Sequence, residues 1–191
     1  MNDFCYKYIV KIKDILDAFP HEQFEYMIEA FLKAYKNGNH IFTMGNGGSA
    51  STASHWACDI NKSVCAGCEK RFKVICFNDS IPALLAYAND LSYEDVFVEQ
   101  LKNFFVEGDV VIGISGSGNS LNVIKAIDYA KAHGGNTVGL CGYSGGKLCH
   151  IVDIPILVTA NDMQKVEDIH MIVVHMTMQR LIQELNQTQN I

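Results

Sequence analysis

Apolar residues in the first 37 positions repeat with the period of a helix. The first stripe consists of Ile9, Ile12, Leu16 and Phe19, and the second of Phe24, Met27, Ile28, Phe31, Leu32 and Tyr35. Spacings of three and four residues place side chains on one face of a helix, so two amphipathic helices are predicted here. Pro20 is expected to end the first helix, and Asn37-Gly38-Asn39 the second.

The pattern then changes to short apolar runs that alternate with helical segments. The runs span 40–44, 72–77, 109–114, 136–141 and 153–158, and the helical patterns span about 49–61, 80–90, 93–104, 120–133 and 162–186. Short apolar strands separated by helices predict an α/β fold, a five-stranded parallel sheet with helices on both faces. Ligands of such sheets bind beyond the carboxyl ends of the strands, at the loops after the first, third and fourth runs.

The composition fits one globular domain over 1–191. The 191 residues are 49% hydrophobic and 19% charged, which is ordinary for a globular protein. We expect 1–37 to be helices that serve oligomer packing and 38–191 to be the ligand-binding core. With 15 Lys+Arg against 21 Asp+Glu, the net charge is −6, which argues against nucleic acid as a partner.

No membrane span and no export signal are expected. No apolar run approaches ~18 residues, and the first residues lack a basic segment followed by an apolar core. The seven scattered cysteines are typical of reduced thiols, so a cytoplasmic protein is expected. Cys65 and Cys68 form a lone C-x-x-C pair, whereas a zinc ribbon needs a second pair.

A glycine-rich segment, Gly45-Asn46-Gly47-Gly48-Ser49-Ala50, follows the first strand and opens a helix. Glycines let the backbone approach a ligand closely, and a helix N-terminus offers free N–H groups to an anion. The segment also matches the dinucleotide fingerprint G-x-G-x-x-A. A tight turn in which Ser49 caps the helix is the structural alternative.

A second glycine-rich segment, 115–120, follows the third strand and also precedes a helix. It carries three hydroxyls, on Ser115, Ser117 and Ser120. Hydroxyl groups at a helix N-terminus are typical of a phosphate cradle, and such a site needs no lysine. The alternative is a flexible Gly/Ser turn, but two such loops at one edge of the sheet favour a shared anion site.

Two clusters of ionisable residues lie on helices. His55 and Asp59 are four residues apart and face one way, which suits a metal site, a base with its partner, or a plain surface ion pair. The closing helix carries Glu167, Asp168, His170 and His175 within an apolar stretch. Buried ionisable groups are functional candidates because burial is costly unless they are paired. A histidine with a purely structural partner is the alternative, and it applies more to His170 than to His175.

Several of these strings together resemble the SIS (sugar isomerase) domain family, and within it the phosphoheptose isomerases. The strings are GNGGSA at 45–50, H-x-x-x-D at 55–59, AND at 88–90, GISGSGNSLNV at 113–123 and E-D-x-H-x-x-x-x-H at 167–175. The resemblance covers about 5–185. It implies a three-layer, flavodoxin-like α/β fold with an N-terminal helical segment, and a homotetramer with sites at subunit interfaces.

The resemblance also assigns roles. It implies an aldose–ketose isomerase that converts sedoheptulose 7-phosphate into D-glycero-D-manno-heptose 7-phosphate, with Asp59 as the base and His175 as the acid. Phosphosugar contacts carry over to Asn46, Gly47, Gly48, Ser49, Asn89, Asp90, Ser115, Gly116, Ser117, Ser120 and Glu167. A zinc ion carries over to His55, Asp59, Glu167 and His175.

The eight-residue spacing of Glu167 and His175 on one helix bears on this implied zinc site. Their Cα atoms are separated by ~12 Å along the helix axis, and their directions differ by ~80°, so one ion between them would stretch both side chains nearly to full length. We therefore expect the complete site to need at least two subunits, with Glu167 and His175 from different chains.

This chain departs from the family pattern at four of these places. Asp59 replaces a Glu, Glu167 replaces a Gln, Asp168 replaces a Glu and Gly116 replaces a Thr. The changes at Asp59 and Glu167 favour an alternative, a non-catalytic phosphosugar-binding or regulatory SIS protein that acts through protein contacts. The G-x-G-x-x-A match leaves a nucleotide-dependent oxidoreductase as a third hypothesis, which does not explain the serine-rich loop.

Overall fold

A computed structural model describes the backbone of residues 3–189 and the side chains of residues 3–186. This part of the chain contains eight α-helices, one π-helix and five strands. The α-helices are α1 Phe4–Leu16, α2 His21–Asn37, α3 Gly48–Cys58, α4 Ile81–Asp90, α5 Val96–Lys102, α6 Leu121–Ala132, α7 Gly146–Ile151 and α8 Met163–Gln189, and the π-helix is Asp59–Val64. The strands are β1 His40–Gly45, β2 Lys73–Cys76, β3 Val110–Ser115, β4 Asn136–Gly142 and β5 Ile154–Val158.

All five strands are parallel and lie in the order β2-β1-β3-β4-β5. The predicted five-stranded parallel sheet is therefore confirmed, and its order is that of flavodoxin-like folds. The chain leaves β1 toward β2 on one side, then returns so that β3 pairs with the other side of β1, in a register that matches Gly45 to Ile114. The strand order thus reverses between β1 and β3, and the loops that follow these strands lie side by side.

Helices cover both faces of the sheet. On one face, α2, α3 and α8 pack over the strands through residues such as Phe31, Trp56 and Val173. On the other face, Phe97 of α5 and Ile127 of α6 pack against the sheet. The buried face of α2 therefore contributes to the core of its own chain, in addition to any role in assembly.

The N-terminal helix leaves apolar side chains uncovered. Phe4, Tyr6 and Ile9 of α1 are 58–67% exposed, so surface remains for the expected packing against other chains. Pro20 does not end α1, which stops at Leu16; it occupies the N-cap position of α2 instead. A proline suits that place because its fixed φ is compatible with a helix start and its missing N–H is not needed there.

The seven cysteines are all free thiols. Within residues 3–189, no helix is long and apolar enough to cross a lipid bilayer.

Candidate functional site

The loops after β1 and β3 each lead into a helix at the point where the strand order reverses. The chain turns from β1 into α3 at Gly47, which occupies the N-cap position with a φ of 57° that glycine adopts at little cost. Because Gly47 holds the N-cap position, Ser49 does not cap the helix; it is buried in the first turn. The turn from β3 leads through Ser120 into α6.

These two loops and α8 enclose one cavity of about 320 Å³. Its lining contains nine of the eleven residues predicted to bind the phosphosugar, which are Asn46, Gly47, Gly48, Ser49, Ser115, Gly116, Ser117, Ser120 and Glu167, together with Ile114 and Met163. Among the residues that the structure describes, no lysine or arginine lines it. An anion here would therefore be held by hydroxyl groups and by the N-termini of α3 and α6.

The serine hydroxyls form one group at the start of α6. The Oγ atom of Ser115 lies 3.0 Å from Oγ of Ser120 and 3.5 Å from Oγ of Ser117. Ser120 occupies the N-cap position, yet its side chain makes no capping bond to the helix backbone. Hydroxyl groups that bond to one another can rotate to donate to a ligand, as the phosphate-cradle prediction requires.

Glu167 forms the wall of the cavity opposite the glycine-rich loop. A Cβ atom built on Gly48 would lie 2.4 Å from Oε1 of Glu167, so the absence of a side chain at 48 permits this close approach. Where the family pattern has a Thr, Gly116 faces Met163, whose Sδ atom would lie 2.4 Å from a Cβ at that position. The Met163 side chain therefore occupies the space that a longer residue at 116 would need.

Asn89 and Asp90 do not line this cavity within one chain. They lie at the end of α4, where Asn89 Nδ2 donates to Oδ1 of Asp90 at 2.8 Å. Their assignment as phosphosugar contacts stays a prediction.

Two side chains that sequence reasoning missed lie beside the cavity. The Tyr93 hydroxyl donates to Oδ1 of Asn46 at 2.7 Å, and Asn46 and Asn122 exchange a pair of amide hydrogen bonds at 2.9 Å each. Asn122 lies inside the GISGSGNSLNV string, so a closer reading of that motif could have found it. Nothing in the local pattern around Tyr93 indicates its partner, because the contact spans 47 residues.

A second cluster is formed by His55, Asp59 and His175. The Nε2 atom of His55 lies 3.3 Å from Oδ2 of Asp59 and 3.3 Å from Nε2 of His175. One donor atom from each residue lies within 4.8 Å of the others. The predicted pairing of His55 with Asp59 is therefore present, and α8 supplies His175 from 120 residues away.

The separations of His55 Nε2 from its two neighbours in this cluster fit a zinc ion. Zn–N bonds of 2.0–2.1 Å in a tetrahedral arrangement place two nitrogen ligands about 3.3 Å apart, which agrees with the observed Nε2 separation. Two histidines and one carboxylate are also the protein ligands of known catalytic zinc sites, which keep a fourth position open. Within one chain, Glu167 is not part of this cluster, as its spacing from His175 predicts.

The cavity and the His55–Asp59–His175 cluster lie at two different heights along the packed helices α3 and α8. Gly48 meets Glu167 at one level, and His55 meets His175 at the other. Both helices run in the same direction, so seven residues along α3 correspond to eight along α8. At 1.5 Å per residue the two levels are about 10–12 Å apart.

The other ionisable residues of α8 have structural partners. The His170 ring is buried and its Nε2 lies 3.3 Å from the carbonyl oxygen of Cys141. Burial lowers the pKa of His170 to about 4, so this ring is neutral near pH 7. Asp168 accepts a hydrogen bond of 2.6 Å from the Tyr8 hydroxyl of α1, which raises the pKa of Tyr8 to about 12.

Three comparisons with known proteins agree with this geometry. The SIS domain family model matches residues 7–142. Phosphoheptose isomerases from Trichlorobacter lovleyi and Aliarcobacter butzleri are 36% and 38% identical over 156 residues each, covering 78% and 81% of this chain and 76% and 82% of those proteins. A solved phosphoheptose isomerase from Neisseria gonorrhoeae superposes with a TM-score of 0.85 at 26% identity, covering 92% of this chain and 94% of that one.

Proposed function

The chain belongs to the SIS domain family and is similar to its phosphoheptose isomerases, and from this premise we propose that it is an aldose–ketose isomerase. Its reaction is the conversion of sedoheptulose 7-phosphate into D-glycero-D-manno-heptose 7-phosphate. The observation that carries the proposal is a hydroxyl-lined cavity on the same helix pair as a His–Asp–His cluster.

The cavity is proposed to hold the phosphate group of the sugar. The hydroxyls of Ser115, Ser117 and Ser120 would donate to phosphate oxygens, and the first turns of α3 and α6 add backbone N–H groups. Gly47 would let the ligand approach the backbone closely, because the space that a Cβ would take there is open, whereas the same space is filled by Glu167 at Gly48 and by Met163 at Gly116. Binding at this end anchors the substrate so that its carbonyl end extends toward the cluster.

The proton transfers are assigned to the cluster. Isomerisation requires a base to remove the proton on the carbon next to the carbonyl, which gives an enediol, and an acid to return a proton to its neighbour. Asp59 is the proposed base, and its second carboxylate oxygen, Oδ1, has no hydrogen-bond partner among the described residues. His175 is the proposed acid, and His55 orients both through contacts of 3.3 Å.

Zinc is the proposed metal, with Nε2 of His55, Oδ2 of Asp59 and Nε2 of His175 as ligands and Glu167 as a fourth ligand from a second chain. This arrangement would leave Oδ1 of Asp59 and Nδ1 of His175 for the proton transfers. When bound, the ion would supply a positive charge that stabilises the oxygen of the enediol. The chain's own residues still carry the protons and position the sugar.

We also propose a homotetramer with its sites at subunit interfaces. The exposed apolar residues of α1 offer contact surface, and Glu167 requires a second chain to meet His175. Asn89 and Asp90 are exposed in one chain, so a neighbouring site in the assembly is a place where they would contact the sugar. A cytoplasmic location stays a prediction.

The comparisons do not favour the regulatory alternative, because the curated relatives described above carry the name of an isomerase. The dinucleotide hypothesis is weakened because the Gly45–Ala50 loop shares its cavity with the serine-rich loop. Incubating the protein with sedoheptulose 7-phosphate and following the anomeric signals by NMR tests the proposal. Formation of the heptose phosphate supports it, and phosphosugar binding without turnover would favour the regulatory role.

A further inference from the structure

We infer that Tyr93 and Asn122 are positioning residues that hold the Asn46 side chain with an N–H group directed toward the phosphate of the sugar. The inference rests on the proposed function, since it assigns the cavity to the phosphate group. Neither residue lines the cavity. Both residues contact Asn46, and Asn46 lines the cavity.

The orientation of the Asn46 amide follows from a chain of donors that starts at the backbone. The N–H of Val123 donates to Oδ1 of Asn122 at 2.9 Å. A backbone N–H can only donate, so this atom of Asn122 is its oxygen, and the other atom is the NH₂ group. That NH₂ group donates to Asn46 at 2.9 Å, which makes the accepting atom of Asn46 its oxygen.

Tyr93 completes the assignment. Its hydroxyl donates to the same Asn46 oxygen at 2.7 Å, so both lone pairs of this oxygen are used. Asn46 Nδ2 donates one hydrogen to Asn122 Oδ1, and its second hydrogen has no partner among the described residues. Asn46 therefore offers a ligand a donor and no acceptor.

A fixed donor matters in this cavity because the described part of its lining contains no cation and includes the Glu167 carboxylate. A phosphate oxygen accepts hydrogen bonds, whereas an amide oxygen facing it would repel it. An asparagine side chain that is free to rotate by half a turn would exchange its NH₂ group and its oxygen at the position that faces the phosphate. Tyr93 and Asn122 remove that exchange before the ligand binds, and preorganisation of this kind improves affinity.

Tyr93 is well placed to act on Asn46 without contributing to folding. Its side chain is 60% exposed, so removal of the hydroxyl changes little apart from this bond. The segment that carries it is fixed nearby, since Lys125 of α6 contacts Asp95 at 2.9 Å and Glu94 at 3.0 Å. Tyr93 thus joins the α4–α5 connection, the loop after β1 and the start of α6 at one amide.

The test compares Tyr93→Phe with Tyr26→Phe. Tyr26 is also exposed, and its hydroxyl makes one side-chain hydrogen bond of 2.6 Å, to Glu22. We expect Tyr93→Phe to raise the KM for sedoheptulose 7-phosphate and the Kd for inorganic phosphate about 10-fold each, the upper part of the range for one hydrogen bond. The kcat should stay within about twofold, because the phosphate contact is the same in substrate and transition state. Tyr26→Phe should change none of these.

The same substitution is then made in an Asn46→Ala background. If Tyr93 acts through Asn46, Tyr93→Phe has less than about a twofold further effect there, by the logic of a double-mutant cycle. Asn122→Ala is tested in the same way, with its thermal unfolding as a check on folding because Asn122 is buried. An unchanged KM and Kd in Tyr93→Phe, or an equal effect of Tyr93→Phe in both backgrounds, would overturn the inference.

The phosphate titration separates this inference from the proposed function. If the wild-type protein does not convert the sugar but loses phosphate affinity in Tyr93→Phe through Asn46, the isomerase assignment fails and the positioning role stands. If the wild-type protein converts the sugar and Tyr93→Phe behaves like wild type, the isomerase assignment stands and the positioning role fails. A wild-type protein that neither converts the sugar nor binds phosphate contradicts both.

Discussion

His55 and His175 approach each other with their Nε2 atoms 3.3 Å apart, although 120 residues separate them in the chain. This approach joins α3 to α8 at the level of His55, about two turns beyond the level at which Gly48 meets Glu167. The sugar phosphate would be bound at one level and its carbonyl end would react at the other. Predictions for each level can therefore be tested separately.

Ser117→Ala should weaken the binding of the sugar phosphate about 10-fold or more, because a hydrogen bond to a charged group contributes about 1.5–3 kcal/mol. Calorimetric titration with the sugar phosphate measures this. Ser144→Ala is a matched control, because Ser144 lies exposed on the loop after β4 and does not line the cavity. Equal affinity of Ser117→Ala and wild type would contradict the phosphate assignment.

Asp59→Asn should lower kcat by about 10²–10⁴ while leaving the Kd of the sugar phosphate nearly unchanged, since the change removes the base and keeps its shape. Steady-state kinetics and a binding titration on the same preparation measure the two effects. Asp128→Asn, at a surface ion pair with Lys147, should retain full activity. Substantial turnover by Asp59→Asn would require another base.

Zinc should be present at about one ion per chain, and His55→Gln should lower the zinc affinity at least as much as loss of an outer-shell partner does, about 10–100-fold. Elemental analysis after dialysis against a chelator series measures this. His150→Gln, which alters an exposed residue of α7, is the control. Equal zinc retention by His55→Gln and the control would rule out this cluster as the metal site.

Mixing an inactive Glu167→Ala oligomer with an inactive His175→Ala oligomer should restore partial activity after subunit exchange. The reason is that mixed interfaces would combine an intact Glu167 from one chain with an intact His175 from the other. Sedimentation first establishes the oligomer, and mass spectrometry confirms the exchange. If exchange occurs and activity does not return, one chain supplies both residues, and a monomer at micromolar concentration would remove the composite site altogether.

Stability should fall as the pH decreases through the window set by His170. Its pKa is about 4 in the folded protein against 6.5 for the free side chain, so the unfolded chain binds more protons between these values. The stabilisation is complete above pH 6.5 and is lost as the pH falls toward 4, with about 2 kcal/mol lost between pH 7 and pH 5. Urea unfolding at the two pH values measures the difference for wild type and His170→Gln. The difference should shrink by about 2 kcal/mol in His170→Gln and stay unchanged in His133→Gln, which alters an exposed ring.

Much of the fold follows from local patterns. The five apolar runs and the glycine-rich loops after β1 and β3 predict the sheet and its ligand-binding edge, because buried strands and helix starts require particular residue types within the same short segment. The π-helix at Asp59–Val64 cannot be predicted in this way. The pattern over 49–61 is that of an ordinary helix, and the wider turn depends on packing against α8 and β2. The short helix α7 was missed for a similar reason: six residues that start at a glycine carry too little periodicity.

In the functional site too, contacts within one segment can be predicted from the sequence, whereas contacts between distant segments cannot. The proximity of His55 and Asp59 follows from their spacing on a helix, and the grouping of the three serines follows from one loop. The contact of His175 with this pair, and the bond from Tyr93 to Asn46, depend on how distant segments pack, so no pattern within one segment reveals them. The resemblance to a family supplied His175, whereas Tyr93 became visible only in the structure.

The contact between Gly48 and Glu167 links the residue at 48 to the shape of the cavity wall. A methyl group at 48 would take the place of the Glu167 carboxylate, so a larger residue at 48 requires the end of the Glu167 side chain to turn away. A Gln at 167, as in the family pattern, has the same length and needs the same space. Position 48 is therefore expected to stay glycine among sequences that keep a long polar side chain at 167, whereas Glu and Gln can replace each other at 167.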